Sequence, residues 1–423
     1  MLRFWKLIFL ISPALTLVVP SGNIAGPFFM ALAGLFYWKK ATKNTPVVTP
    51  FVVNSWAWML GGFGAFVVVG VALALWHSNH AGHYEMYAPF ILFPAIALLI
   101  RAGRWQAEPW LLSVAVGALS AFFYAVYQVF ELNIGRATGA TSNPIPFGDT
   151  AIVLAMVALV SGVMFPFEGA RARWKRAFVV VSGIAGIGAS LLSGSKGGWI
   201  SLFIIGATIT YLATQHWSSW RKHLALFAIF MSLVVAGFLA PSNLVQDRVI
   251  SGLKGGLHWI RTGEVNEGSV GMRFEIWKLN IQLVSEKPLL GHGSIGARER
   301  FHEMIDAGYS QQALVDLAKY SPKFVSVDNE LLGALVGGGV IGVLSLLAGY
   351  LGAWMAFWGW RKHMDLQVKS LCTIGLLLVP LYLEFGLSVA VFGTTMFRTV
   401  FVLLSVVLLA FITVRLEALK VHP

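Results

Sequence analysis

The chain is poor in charge: only 12% of its 423 residues are Asp, Glu, Lys or Arg, where soluble domains carry roughly a quarter. That excludes a soluble multidomain enzyme of this length. A disulfide-stapled fold is excluded as well, because the one cysteine, Cys372, lies inside an apolar run. A disordered chain is excluded too, because the apolar content is far too high. What is present is apolar: 57% of the residues are hydrophobic and the mean hydropathy is +0.73. Sixteen Trp, thirty Phe and ten Tyr accompany them, and Trp and Tyr favour the two membrane–water interfaces. The composition predicts an all-α, polytopic integral membrane protein. A net charge of +12 on a soluble protein suggests nucleic acid. Here its position along the chain has to be read first.

Twelve apolar runs are long enough to be read as crossings: 7–20, 22–38, 55–76, 88–100, 109–130, 149–166, 178–192, 199–214, 224–240, 334–357, 370–391 and 398–414. The first two are short, parted by Pro20-Ser21-Gly22-Asn23, and a single broken crossing there would invert everything downstream. Arg3 and Lys6 ahead of an apolar run resemble a signal peptide. No convincing small-x-small cleavage site follows, so the run is read as a retained first span. With the N-terminus inside, the inner segments hold eighteen basic residues and the short outer segments three: Arg136, Lys196 and Arg398. That asymmetry predicts twelve spans with both termini cytoplasmic. It also accounts for most of the positive charge without nucleic acid.

One segment departs from the pattern. Residues 241–333 form a long polar stretch with ten basic and eleven acidic residues. The expected division is therefore 1–240 (spans one to nine), 241–333 (a large helical loop on the outer, periplasmic side) and 334–423 (spans ten to twelve). A loop this long inside a compact chain is usually functional. Met272–Ser285 places Phe274, Trp277 and Ile281 on one helical face, and Gly296–Lys319 reads as a second, more polar helix.

Ionisable groups at membrane depth are costly unless paired, and so are functional candidates. Four outer segments carry them. The first runs from Asn133 through Arg136 to Asn143-Pro144-Ile145-Pro146-Phe147-Gly148-Asp149; it suits anion binding, or is a turn with Asp149 capping the next helix. The second, Ser193-Gly194-Ser195-Lys196-Gly197-Gly198-Trp199, offers one point charge among small residues, or is a tight hairpin at the headgroups. In the third, Arg273 and Trp277 share a helix face, with an ion pair to Glu275 or Glu267 as the plainer reading. The fourth, Ser326-Val327-Asp328-Asn329-Glu330-Leu331-Leu332, returns the chain to the membrane; Asp328 is a helix cap, a general base, or both. His77, His80 and His83 with Glu85 have a spacing that more often means nothing than a metal site. No metal or other cofactor is expected. Glu384 within a span is a proton-relay or a hydrogen-bonded carboxylate, His292 is a candidate for proton transfer, and Cys372 is a small apolar residue.

Taken in order, these segments resemble the bacterial O-antigen ligases, in the superfamily shared with O-antigen polymerases and protein O-oligosaccharyltransferases. The resemblance rests on Gly-Arg-x-x-Gly before Asn-Pro-Ile-x-Phe-Gly, then Ser-Lys-Gly-Gly-Trp, Arg-x-x-x-Trp, Pro-Leu-Leu-Gly-His-Gly and Asp-Asn-Glu-Leu-Leu. It covers most of the chain from about Arg136 onward. It implies metal-independent, inverting transfer of a polysaccharide from undecaprenyl diphosphate to the lipid A–core oligosaccharide, at the periplasmic face of the inner membrane. Asp328, Arg273 and Lys196 are the implied catalytic group, with Arg136, Asn143, Asn329, Trp277, His292 and Arg398 binding substrate. The chain departs from the family at Lys196, where Arg is usual, and at Asp328-Asn329, where His-Asn is usual. Lys keeps the charge but loses the bidentate fork; an aspartate keeps a base, though a weak one. The runner-up is an O-antigen polymerase. A secondary transporter or flippase is the different-class alternative, against which stand the large outer loop and the lack of an internal repeat.

Overall fold

The computed structural model describes residues 1–43, 50–78, 81–214, 220–221, 224, 227–228, 244–265, 269–311, 314–315 and 328–421. Every regular element among them is helical. The ninth predicted run, 224–240, lies almost wholly outside the described residues, as do His80, Ser326 and Val327. Eight helical segments are long and apolar enough to cross a membrane among the described residues: Pro50–Trp76, His83–Gly103, Ala107–Glu131, Pro144–Met164, Ala172–Ser193, Glu330–Trp358, Leu366–Phe385 and Thr395–Leu419. This is a polytopic helical membrane protein. Its outward side chains, such as Val53, Leu60, Val68 and Leu75, are exposed apolar groups, as a lipid-facing surface requires.

In chain order the helices are α1 (Leu2–Leu15), α2 (Ala25–Phe36), α3 (Trp38–Lys43), α4 (Pro50–Trp76), α5 (Ala88–Leu92), α6 (Ala95–Gly103), α7 (Ala107–Val126), α8 (Pro144–Met164), α9 (Ala172–Ser193), α10 (Ile200–Thr214), α11 (Leu244–Thr262), α12 (Ser269–Glu286), α13 (Gly293–Asp306), α14 (Glu330–Trp358), α15 (Leu366–Phe385) and α16 (Thr395–Val421). Helix α8 is the hub. It packs on α7, α9, α10, α15 and α16, and every residue from Pro146 to Gly162 is buried. Polar side chains fasten the bundle between helices. Asn23 donates to Thr399 at 2.7 Å and Trp360 donates to Ser55 at 2.9 Å.

The two ends of the bundle differ. One end collects ion pairs: Arg101 with Glu417, Arg415 with Asp365, and Lys175 with Glu108. The other carries α11–α13. Helices α1 and α2 form an antiparallel pair between these ends. Phe9 of α1 packs against Trp105, whereas the Leu17 carbonyl just beyond α1 accepts from Ala140 at the far end. With 14 and 12 residues, at about 1.5 Å of rise each, both fall short of a full hydrocarbon core of about 30 Å.

Helices α12 and α13 build a cap with its own small core. Ile276, Leu279, Leu283, Phe301, Met304 and Ile305 pack together with Val336 of α14. The buried face of α12 is Ile276-Leu279-Leu283; Ile281 is 60% exposed, while Phe274 packs against Trp259 of α11 and against Trp277. The helix placed over 296–319 is not continuous. α13 ends at Asp306, where Gly308 at φ 80° lets Gly308 N–H reach Ile305 and Tyr309 N–H reach Met304, a Schellman closure.

Cap and bundle join through a strap. Helix α14 breaks at Gly339 (φ 61°, ψ −159°), and residues 288–292 lie along the break. Val340 N–H donates to the Pro288 carbonyl at 2.8 Å, Ile341 N–H to Leu289 at 3.3 Å, and His292 N–H to Val336 at 2.8 Å. His77 adds a ring contact to the Leu290 carbonyl at 2.9 Å. Backbone freed at membrane depth is tolerated where protein satisfies it. The fit leaves no room for side chains: a Cβ on Gly291 would stand 2.6 Å from the Gly338 nitrogen.

Candidate active site

At the cap end the four segments singled out in the sequence converge. The 131–143 turn is fastened to the 193–199 turn by Arg136, whose Nε donates to the Ser193 carbonyl at 2.8 Å and whose terminal nitrogen reaches Gly194 at 3.2 Å. Helix α8 enters directly beneath. Its cap is Asn143, which accepts from Ile145 N–H at 2.9 Å, and Pro144 and Pro146 suit the first turn that follows. Asp149 is therefore not the cap. It sits inside α8, fully buried, accepting from Ser195 Oγ at 2.6 Å. Arg136 and Arg273 both act on it electrostatically.

Lys196 opens a short 3₁₀ turn, Lys196–Trp199. Its ammonium lies against Gly252 of α11, where a Cβ would stand 2.7 Å from Nζ. From α12, Arg273 reaches the head of α14 and pairs with Asp328, Nε to Oδ2 at 3.5 Å; the two side chains are 22% and 29% exposed. Arg273 thus pairs with Asp328 rather than with Glu275, and Glu267 lies outside the described residues. Glu275 is buried and holds Trp259 and Lys278. The capping role considered for Asp328 belongs to Asn329, whose Oδ1 accepts from Leu332 N–H at 2.9 Å. Asp328 precedes the cap at φ 31°, which leaves its carboxylate to the Arg273 pair.

The remaining predicted residues are placed as follows. Trp277 is half-buried and stacks at an angle on Phe274, centroids 5.7 Å apart. His292 is buried in the strap, with Nε2 2.8 Å from the Leu283 carbonyl; a carbonyl only accepts, so that nitrogen carries its proton and is not a free base. Arg398 at the start of α16 binds the Phe392 and Gly393 carbonyls and Thr395 Oγ1, which holds the 392–395 turn. Glu384 accepts from Ser201 Oγ at 2.5 Å. Among the described residues no group of three or more His, Cys, Asp or Glu is arranged to hold a metal.

Two carboxylates at this end had weak sequence signals. Asp149 looked like a terminus because the apolar run begins just after it. Glu330 was only a letter in the Asp-Asn-Glu motif. Both are buried, and among the described residues each has one oxygen with no hydrogen-bond partner.

A turn bearing one lysine, a cap helix bearing one arginine and a carboxylate at a membrane re-entry helix thus share one end of the bundle. Such a set can hold an anion and accept a proton beside it. Known proteins point the same way. Residues 181–347 match the O-antigen ligase family model. The O-antigen ligase match includes Lys196, Arg273, Trp277, His292, Asp328 and Asn329; Arg136 and Asn143 precede it and Arg398 follows it. The chain is also 24% identical over 370 residues to an uncharacterized protein of Haemophilus influenzae, covering 85% of this chain and 86% of that one. Over residues 181–347 the chain is thus similar to a family whose members are glycosyltransferase-like enzymes.

Proposed function

We propose that the protein is an O-antigen ligase. It would move a polysaccharide from undecaprenyl diphosphate to the lipid A–core oligosaccharide, with inversion and without a metal, at the periplasmic face of the bacterial inner membrane. The observation that carries this reading is the Arg273–Asp328 pair, which sets a cation and a base candidate side by side within the matched region. In the proposed step the acceptor hydroxyl attacks the donor's anomeric carbon. The bond to the diphosphate oxygen breaks, and the hydroxyl proton passes to Asp328. Lys196 and Arg273 meet the charge that develops on the leaving diphosphate, where fixed cations in a water-poor site act most strongly. Arg136 holds the Lys196 turn in place. The lipid-linked donor is already activated, so no nucleotide enters.

The test is lipopolysaccharide from strains carrying Arg273→Ala or Lys196→Ala at unchanged protein level. Each change is expected to cut ligation about a hundred-fold or more, the scale of losing one electrostatic stabiliser of a transition state. Wild-type lipopolysaccharide in both strains would sink the clamp. A strain lacking the gene separates ligase from polymerase: unattached polymer marks the first, cores capped by a single repeat the second.

A further inference from the structure

At the head of α14, where Glu330 follows Asp328 by two residues, the structure holds a cavity of about 450 Å³ between α4, α13, α14 and the 390–394 turn, within the roughly 300–1,000 Å³ of small-molecule sites. Its wall combines an aromatic side, Phe66, Tyr87 and Phe392, with backbone left open at Gly333, Gly337 and Gly338 of the broken helix. Glu330 stands on this wall and is 8% exposed. One of its oxygens is fixed by Phe392 N–H at 3.0 Å. The other, Oε2, is buried and has no hydrogen-bond partner among the described residues.

Three occupants can be weighed against that oxygen. A lipid tail would leave a buried carboxylate oxygen without a donor, which is unfavourable. A diphosphate would meet a like charge, and among the described residues no Lys or Arg lines the cavity. A sugar ring satisfies both sides, since its hydroxyls donate to Oε2 and its C–H face packs on the aromatic wall. We propose that this cavity seats a neutral, hydroxyl-bearing sugar of the glycan acceptor, anchored by Glu330 Oε2. This rests on the ligase reading for the word acceptor, and it divides the site into a cationic donor half and an acidic acceptor half.

The probe is rough lipopolysaccharide titrated against the full chain in detergent micelles, alongside undecaprenyl-diphosphate-linked glycan. Glu330→Gln keeps an oxygen for Phe392 N–H, so the turn stays tied, but replaces the free acceptor by a donor. It is expected to weaken binding of rough lipopolysaccharide about ten-fold or more, with binding of the lipid-linked glycan unchanged. Leu73→Trp fills the cavity from the α4 side, leaves Glu330 intact, and is expected to do the same. Unchanged affinity for rough lipopolysaccharide in either folded variant overturns the proposal, as does an equal loss for both ligands. Should wild type bind the lipid-linked glycan but no rough lipopolysaccharide, the ligase reading itself falls, and the acceptor assignment with it.

Discussion

Asp328 holds a backbone conformation that non-glycine residues seldom adopt, φ 31°, and such positions persist only where the surroundings impose them. Here Asn329 caps α14 and Arg273 takes the Asp328 carboxylate. That division of labour makes one substitution informative. Asp328→Asn leaves the Asn329 cap untouched, and asparagine is among the residues that best tolerate positive φ. Transfer is expected to fall about a hundred-fold or more if the carboxylate takes the proton, while the melting temperature moves little. Full activity in purified, well-folded Asp328→Asn would remove the general-base role. The residue's place at the membrane return was legible in the sequence; its role at the helix start was not. Asp and Asn cap almost equally well, so adjacent Asp328 and Asn329 cannot be told apart by type. Asp149 was misplaced for a related reason: Asn143 with Pro144 starts the helix a turn and a half earlier than the apolar run shows.

The elements most visible beforehand are those with long apolar runs, and α4, α8, α14 and α16 fall close to where hydropathy put them. The break in α14 was hidden, because its cause is distant in sequence. Gly337–Gly339 reads as a small-residue stretch of one helix until Pro288–His292 lies along it. The cap was half legible: its helices showed in the apolar spacing, but the end of the second at Asp306 did not, because Gly308 closes it with no proline to mark the stop. Its two helices are also held by charge. Arg300 of α13 grips both oxygens of Glu286 at the end of α12, at 2.8–3.1 Å, and Glu303 as well. The Arg300 guanidinium holds the Glu286 carboxyl below its ordinary value of 4.5. A lowered carboxyl contributes stability above the unfolded value and loses it as pH falls through the folded one. Amide protection of α12 and α13 is therefore expected to be flat from pH 6 to 8 and to decline below about 4.5. The pair is solvent-exposed, so the effect is small and weakens with salt. Glu286→Gln should lower protection at neutral pH and flatten this part of the decline. A decline of the same size in Glu286→Gln would assign it to other carboxylates.

At the scale of the whole molecule, two polar ends separated by an apolar bundle explain how the net charge of +12 coexists with a largely buried polar site. Most basic residues lie at the end opposite the cap or in charge-balanced cap helices, and only a few approach Asp149, Asp328 and the α14 head. The path of the first two helices decides which compartment each end faces. Leu17 lies beside Ala140 at the cap end, and Lys39, Lys40 and Lys43 follow α2 at the other, so the 16–24 turn belongs with the cap. A single broken crossing would instead put that turn at mid-membrane and reverse the sidedness of every later helix. Because Cys372 is buried and is the one native thiol, a Cys372→Ser background gives single-cysteine reporters. Ser21→Cys, Gly135→Cys and Ser294→Cys are expected to react in whole cells, once the outer membrane is permeabilised, with a thiol reagent that does not cross the inner membrane. Lys40→Cys, Arg173→Cys and Lys362→Cys are expected to react only after lysis. Labelling of Gly135→Cys before lysis without Ser21→Cys would indicate a buried first turn, and the reverse pattern for both sets would turn the protein over and place the Arg273–Asp328 pair on the cytoplasmic side, where a lipid-linked polysaccharide awaiting ligation is not expected.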